Sequence, residues 1–247
     1  MLARTLTLVA GALPSAFKYK LAPLRSIYTS VVGLGQPVQI VNTDVGSFRW
    51  TVDDLTSQAY LRAVYEPGMQ QLFRNYLRPG WVVYDVGAYA GFYSLYSALL
   101  VRPGGQVLAF EPNPKSRASL ERRLRANPDF MIRTMPYALS DHCGALPMDI
   151  SRGSQSHISG SAQCVVEARS LDSLVQGSGL PVPNLIKIDV EGHEERVLRG
   201  ALKTLQGSLP VVLCDYNDST TFDVVARILQ PIGYKVCPGP PVYAVAS

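Results

Sequence analysis

Short runs of continuously apolar residues recur along the chain, and between them apolar positions fall at helical spacing. The runs at 82–86, 106–111, 131–137, 185–190 and 210–215 predict strands. The stretches 91–100, 114–126, 193–205 and 220–229 predict helices. Strands that stay apolar instead of alternating are buried on both faces, so the strand–helix alternation predicts a parallel sheet with helices on each side. "RPG" at Arg78–Gly80 is the turn that launches the first strand. Ahead of it lie "VQIVN", "SFRWTV" and a helical stretch at 61–77, while residues 1–43 read as an extension. The division expected is an N-terminal extension over 1–60 and one main domain over 61–247.

Two segments depart from this rhythm. Residues 142–174 hold "GALPMDIS" and "AQCVVEA" around the polar "RGSQSHISGS", which predicts an inserted hairpin. The C-terminus reads "YKVC", a Pro/Gly turn and "VYAVA", hence a pair of antiparallel strands. A parallel sheet that ends in a hairpin is not the plain dinucleotide-binding layout. The fold class expected is α/β: a doubly wound, mostly parallel seven-stranded, Rossmann-like sheet of the class I methyltransferase kind.

The candidate chemistry starts in "VVYDVGAYAGFYSL", residues 82–95, where an apolar run stops at Asp85 and two glycines follow. Ligands of open parallel sheets bind beyond the carboxyl ends of the strands. Gly87, lacking a Cβ, is expected to let a ligand lie against the backbone, and Gly91 to allow close packing where a helix begins. Unpaired N–H groups at that helix start suit a carboxylate or phosphate. Glu111 ends the second strand about 20 residues on, where an acid accepts both hydroxyls of an adenosine ribose. The glycines are spaced D-x-G-x-x-x-G, with Ala88, Tyr89 and Ala90 between them, not G-x-G-x-x-G. An acid at Asp85 repels a pyrophosphate but attracts an ammonium, which points to S-adenosyl-L-methionine. The bland alternative is that the glycines only turn the chain, and Glu111 in register weighs against it.

Composition narrows the classes. With 247 residues, 47% of them hydrophobic, the chain suits one sizeable α/β domain with its own core. The net charge of +4 resides in Arg4, Lys18, Lys20 and Arg25, leaving the other basic and acidic residues balanced at 19 each. No body-wide nucleic-acid footprint follows from that. "TLTLVAGAL" is too short to span a membrane, and a packed N-terminal helix is preferred over a signal segment or a weak membrane-surface contact. Cys143, Cys164, Cys214 and Cys237 lack metal-type spacing, so buried thiols in a reduced, cytoplasmic setting are expected.

In order along the chain stand "YEP" (65–67), "LRPGWVVYDVGAYAGFYSL", "FEPNP" (110–114), "ALSD" (138–141), "SLDSL" (170–174) and "NLIKIDVEGHEERVLRGA" (184–201). Together they resemble the FkbM-type methyltransferase family over roughly 65–215. The resemblance implies a class I enzyme that uses S-adenosyl-L-methionine to methylate a hydroxyl of a sugar, glycolipid or natural product. It implies that Asp85, Gly87, Ala88, Tyr89 and Gly91 line the methionine end and that Glu111 holds the ribose. Pro112 and Asn113 then flank the adenosine, with Ser140 and Asp141, ending the third strand, near the adenine. Asp189 and Glu191 face the methyl group and the acceptor. Two positions depart from the family pattern: Tyr89 stands where Asn is usual, and Asp215 where Glu is common.

Methyl transfer to an alcohol needs alignment, exclusion of water and a base. Asp189, Glu191 and His193 are the catalytic candidates. Lys187 and Asp189 share a strand face and should pair. Asp189 then orients the acceptor or cofactor. His193 is either the base or an exposed residue of the first helical turn. Glu194 and Glu195 read as first-turn acids complementing the helix dipole. Asp189, Glu191 and His193 also have the composition of a divalent-metal site, but a strand-to-helix turn does not aim all three at one point, so no metal ligands are assigned. His157 reads as a solvated loop residue, and Phe92 with Tyr96 as core. The expected partners are a small-molecule or glycan acceptor and no nucleic acid. Homo-oligomerisation stays open, as do two other functions: an NAD(P)-binding oxidoreductase and a non-catalytic adenosyl-binding protein.

Overall fold

The computed structural model describes residues 38–53, 60–61, 65–150, 157–158, 164–215, 220–239 and 241–247. The basic arm, "TLTLVAGAL" and most of the polar stretch 152–161 lie outside the described residues. The chain divides into two compact units, Met1–Tyr65 and Glu66–Ser247. In the first, β1 (Val38–Thr43) and β2 (Gly46–Thr51) form an antiparallel hairpin. Its two-residue turn is closed by the Thr43 hydroxyl, which donates to the Gly46 carbonyl at 2.7 Å.

The second unit begins with α1 (Pro67–Tyr76), which lies within the helical stretch expected at 61–77. A proline at the first helical position has no N–H to leave unsatisfied there. Then come β3 (Val82–Val86), α2 (Phe92–Val101), β4 (Gln106–Phe110), α3 (Pro114–Ala126) and β5 (Ile132–Met135). After an inserted sheet and α4 (Leu171–Gly177), the alternation resumes with β10 (Leu185–Ile188), α5 (Glu194–Arg199), α6 (Leu202–Ser208), β11 (Val211–Cys214) and α7 (Thr220–Leu229). The chain closes with β12 (Tyr234–Cys237) and β13 (Val242–Ala246). The main sheet runs β12-β13-β11-β10-β3-β4-β5, parallel except where β13 lies antiparallel between β11 and β12. The last strand is thus inserted into the sheet, not appended at its edge. Tyr84, Leu108, Phe110, Ile186, Val212 and Leu229 are among the buried side chains of the principal core. Phe92 and Tyr96 are buried and stacked, with centroids 6.2 Å apart, as expected of core residues.

Three expectations need correction. The third strand stops at Met135, because Pro136 follows and has no N–H to give to a ladder. Ser140 and Asp141 therefore do not end a strand of the main sheet. They follow β6 (Ala138–Leu139), which pairs with β9 (Cys164–Arg169) in a separate sheet of order β6-β9-β7-β8. That sheet contains the predicted hairpin, β7 (Gly144–Asp149) against β9, with β8 (His157–Ile158) added at its edge. Secondly, the helix expected over 193–205 is two helices. The Gly200 carbonyl accepts the Asp172 N–H, and the Asp172 carboxylate caps α6 through the N–H groups of Lys203 and Thr204. Thirdly, not every thiol is buried: Cys143 is exposed and Cys214 alone is fully enclosed.

Candidate active site

The crevice forms where β3, β4 and β10 end side by side. Strand register sets Lys187 opposite Asp85, and Asp189 follows on the same face. The Lys187 ammonium lies 3.2 Å from Asp85 Oδ1 and 3.2 Å from Asp189 Oδ2, and donates to the Gly87 carbonyl at 3.1 Å. The Tyr93 ring covers it at 5.6 Å. Burial disfavours the charge, but Asp189 and Asp85 outweigh it and hold the Lys187 pKa well above the ordinary lysine value. The two acids differ in access: the Asp85 side chain is 1% exposed and that of Asp189 is 32% exposed.

This arrangement bears on two sequence readings. Asp85 is turned inward, where Lys187 and the Ser94 hydroxyl, donating at 2.6 Å, engage its carboxylate. Asp85 thus already faces an ammonium of the chain itself, that of Lys187. Gly87 is a glycine for a different reason as well. A Cβ there would sit 1.8 Å from the Asp189 carbonyl oxygen, so the neighbouring strand end also requires a glycine. Gly91 does serve close packing, since its Cβ would lie 2.3 Å from Leu120 Cδ1. The loop N–H groups are also not idle. Gly87 and Ala88 donate to the Phe110 carbonyl, and Gly91 to that of Ala88.

The Tyr89 N–H donates at 2.7 Å to Glu111 Oε2, while the Asn113 N–H donates at 2.8 Å to Oε1. Glu111 is thus fixed at the carboxyl end of β4 with one backbone donor on each oxygen. Burial pushes its carboxyl up to about 7, against those two N–H bonds and the Lys187 charge. The Asn113 side chain caps α3 by accepting from the Lys115 N–H, and the Pro112 carbonyl accepts from Arg117. Asn113 therefore shapes the crevice wall through its backbone. Tyr89 adopts φ 46°, a left-handed conformation that costs a side chain with a Cβ but that asparagine tolerates. Tyr89→Asn should raise the stability of the chain by about 1 kcal/mol in urea unfolding. A loss instead would show that packing of the tyrosine ring outweighs the backbone.

A second cluster gathers around Ser140, which is fully buried. Its hydroxyl lies 3.1 Å from His193 Nε2 and 3.2 Å from Asp141 Oδ1. Asp141 in turn pairs with His142 Nδ1 at 2.8 Å and with Arg196 at 2.9 Å. His193 is 9% exposed, so it is not a solvated first-turn residue. Burial lowers its pKa, with Arg196 adding to the effect, which favours the neutral imidazole. Glu194 caps the turn by accepting the Gly192 N–H at 3.0 Å. Glu191, half-buried, has φ 54°, a second left-handed side chain in the crevice loops. Among the described residues no three His, Cys, Asp or Glu side chains converge as metal ligands. His157 stands in β8, paired through the backbone with Asp149 of β7. Sequence reasoning missed the inward turn of Asp85, and it missed Ser94, Tyr93, His142 and Arg196. Tyr93 and Arg196 carry no local signal, because each acts through a contact distant in the chain, whereas His142 pairs with its neighbour Asp141.

A family model described as the methyltransferase FkbM domain matches residues 85–236, beginning on Asp85 itself. The chain belongs to the FkbM methyltransferase family. The hexuronic acid methyltransferase AglP of Haloferax volcanii is 33% identical over 152 residues, covering 60% of this chain and 61% of that protein. The 2-O-methyltransferase NoeI of Sinorhizobium fredii is 28% identical over 167 residues, covering 59% of this chain and 67% of that protein. The FkbM chain thus aligns with about three fifths to two thirds of the length of these curated relatives. Among solved structures, methyltransferase FkbM from Methylobacillus flagellatus shares the fold with a TM-score of 0.52 at 16% identity, over 76% of this chain and 52% of that one. The strand order of the main sheet is the Rossmann-like order of class I methyltransferases, with its inverted last strand.

Proposed function

We propose that this FkbM chain is an S-adenosyl-L-methionine-dependent O-methyltransferase whose acceptor is a hydroxyl of a sugar. The observation that carries the reading is Glu111: a buried acid at the end of β4, held by two backbone N–H groups of the loops that edge the crevice. A carboxylate so fixed suits the paired hydroxyls of a ribose. The family match supports methyl transfer, and the names of AglP and NoeI support a sugar hydroxyl. S-adenosyl-L-methionine supplies a methyl group on a positively charged sulfur, a good leaving group. The work of the chain is then to bind, align and take a proton. Glu111 receives the ribose hydroxyls. Asp189, immobilised by Lys187 yet part-exposed, orients the acceptor hydroxyl. His193, its neutral form favoured by burial, is the proton acceptor.

Calorimetry on the full chain tests this. S-adenosylhomocysteine should bind in the micromolar range and NAD should not. Glu111→Ala should weaken the binding about a hundredfold, because two hydrogen bonds to a charged group are lost. Tight NAD binding would sink the methyltransferase reading in favour of an oxidoreductase. The pH dependence has a defined sign. Ribose hydroxyls donate, so they prefer the ionised carboxylate, and the free chain loses that proton only around pH 7. Affinity should therefore rise from pH 6 to pH 8, and the rise should vanish in Glu111→Gln.

A further inference from the structure

The inward turn of Asp85 removes the acid that the sequence offered to a ligand ammonium, and another acid stands near the same place. Glu66, the central residue of "YEP", stands at the start of α1 with φ 45° and ψ 68°. That left-handed conformation is unfavourable for a glutamate, and such strain concentrates at ligand sites. Its Oε2 accepts the Tyr93 hydroxyl at 2.7 Å. Tyr93 is the second residue of α2, in the first turn after Gly91. Its ring stacks on Phe73 at 5.2 Å and covers the Lys187 ammonium. Glu66 is thus tied through one buried tyrosine to the group formed by Lys187, Gly87 and Asp189. Unlike Asp85, it is solvent-exposed.

We infer that Glu66 is the carboxylate that receives the α-ammonium of the cofactor's methionine moiety, with Tyr93 fixing its direction. This rests on the S-adenosyl-L-methionine reading above. Asp85 is left the internal task of charging and orienting Lys187. The left-handed backbone turns the Glu66 side chain back across the start of α2, and the Tyr93 hydroxyl holds it there at a modest cost in strain.

The test uses two ligands that share an adenosine and differ in the amino-acid end. S-adenosylhomocysteine carries the ammonium, and 5′-methylthioadenosine does not. In calorimetry on the full chain, Glu66→Gln should weaken S-adenosylhomocysteine about tenfold and leave 5′-methylthioadenosine unchanged. Glu66→Asn, which removes the carboxylate but suits the left-handed backbone, should give the same selective loss with unfolding stability retained or raised. Unchanged S-adenosylhomocysteine affinity in both variants overturns the proposal and leaves the cofactor reading standing. Equal loss for both ligands also overturns it, since that reports a deformed crevice. If the unsubstituted chain binds neither ligand, the cofactor reading falls and this inference falls with it.

Discussion

Lys187→Met should lower the stability of the main unit by about 3–5 kcal/mol, because it strands the buried charge of Asp85. The ammonium is enclosed on every side: Asp85 and Asp189 at 3.2 Å each, the Gly87 carbonyl at 3.1 Å and the Tyr93 ring above. Methionine matches the stem of lysine but offers no proton. Asp85 then keeps only the Ser94 hydroxyl among these partners and must bind a proton or admit water. The melting temperature should fall by roughly 10 °C for a unit of this size. The double substitution Lys187→Met with Asp85→Asn should recover a large part, since a buried pair removed together costs far less than one partner removed alone. A shift within roughly 2 °C for the single variant, measured by calorimetric melting, would refute the buried-pair account. The sign with pH follows from the raised lysine pKa. The stabilisation is complete below the ordinary lysine range and is lost only as pH rises through the higher folded value. Between pH 6 and 9 the penalty of the variant should therefore be nearly constant through this group.

Legibility differed sharply between the sheet and the site. The five apolar runs were readable because a strand buried on both faces must be apolar at every position, and that pattern is local. The inverted last strand was readable in part. "PGPP" forces a turn and so antiparallel neighbours, but nothing in those residues says that β13 slips between β11 and β12. The end of β5 was misjudged because Tyr137, Ala138 and Leu139 prolong an apolar run across Pro136, and only tertiary pairing assigns Ala138 and Leu139 to another sheet. Within the site, Lys187 with Asp189 followed from period-two spacing. The third member, Asp85, lies 102 residues before Lys187, so spacing alone could not reach it; register did. The same limit hid Ser140 beneath His193 and Glu66 beneath Tyr93. Residue types at strand ends announce that a crevice exists, whereas the directions of their side chains depend on the strands beside them.

Gly87→Ala shows how tightly those directions are constrained. Its methyl carbon would meet the Asp189 carbonyl oxygen at 1.8 Å and the carbonyl carbon at 2.9 Å, and its φ of 78° already disfavours a Cβ. The obstacle is backbone, so no side chain can swing aside. For β10 to retreat, the Asp189 N–H must leave the Val86 carbonyl, 3.0 Å away, and Asp189 must leave Lys187. The loss expected is on the order of 4 kcal/mol or more, among the larger effects of single substitutions. A control separates the clash from the backbone preference. Gly192 has φ 97° but nothing within 4 Å of its Cβ position, so Gly192→Ala pays only the conformational cost of about 1 kcal/mol. Urea unfolding of both variants measures the difference, and equal losses would mean that the strand ends yield freely. Gly91→Ala should fall between them, because the atom in its way is a Leu120 methyl, which can rotate. The order Gly87, Gly91, Gly192 thus grades the crevice from backbone-limited to open. It also locates the rigid point at the junction of β3 and β10, where the Lys187 ammonium holds the catalytic candidate Asp189 in place.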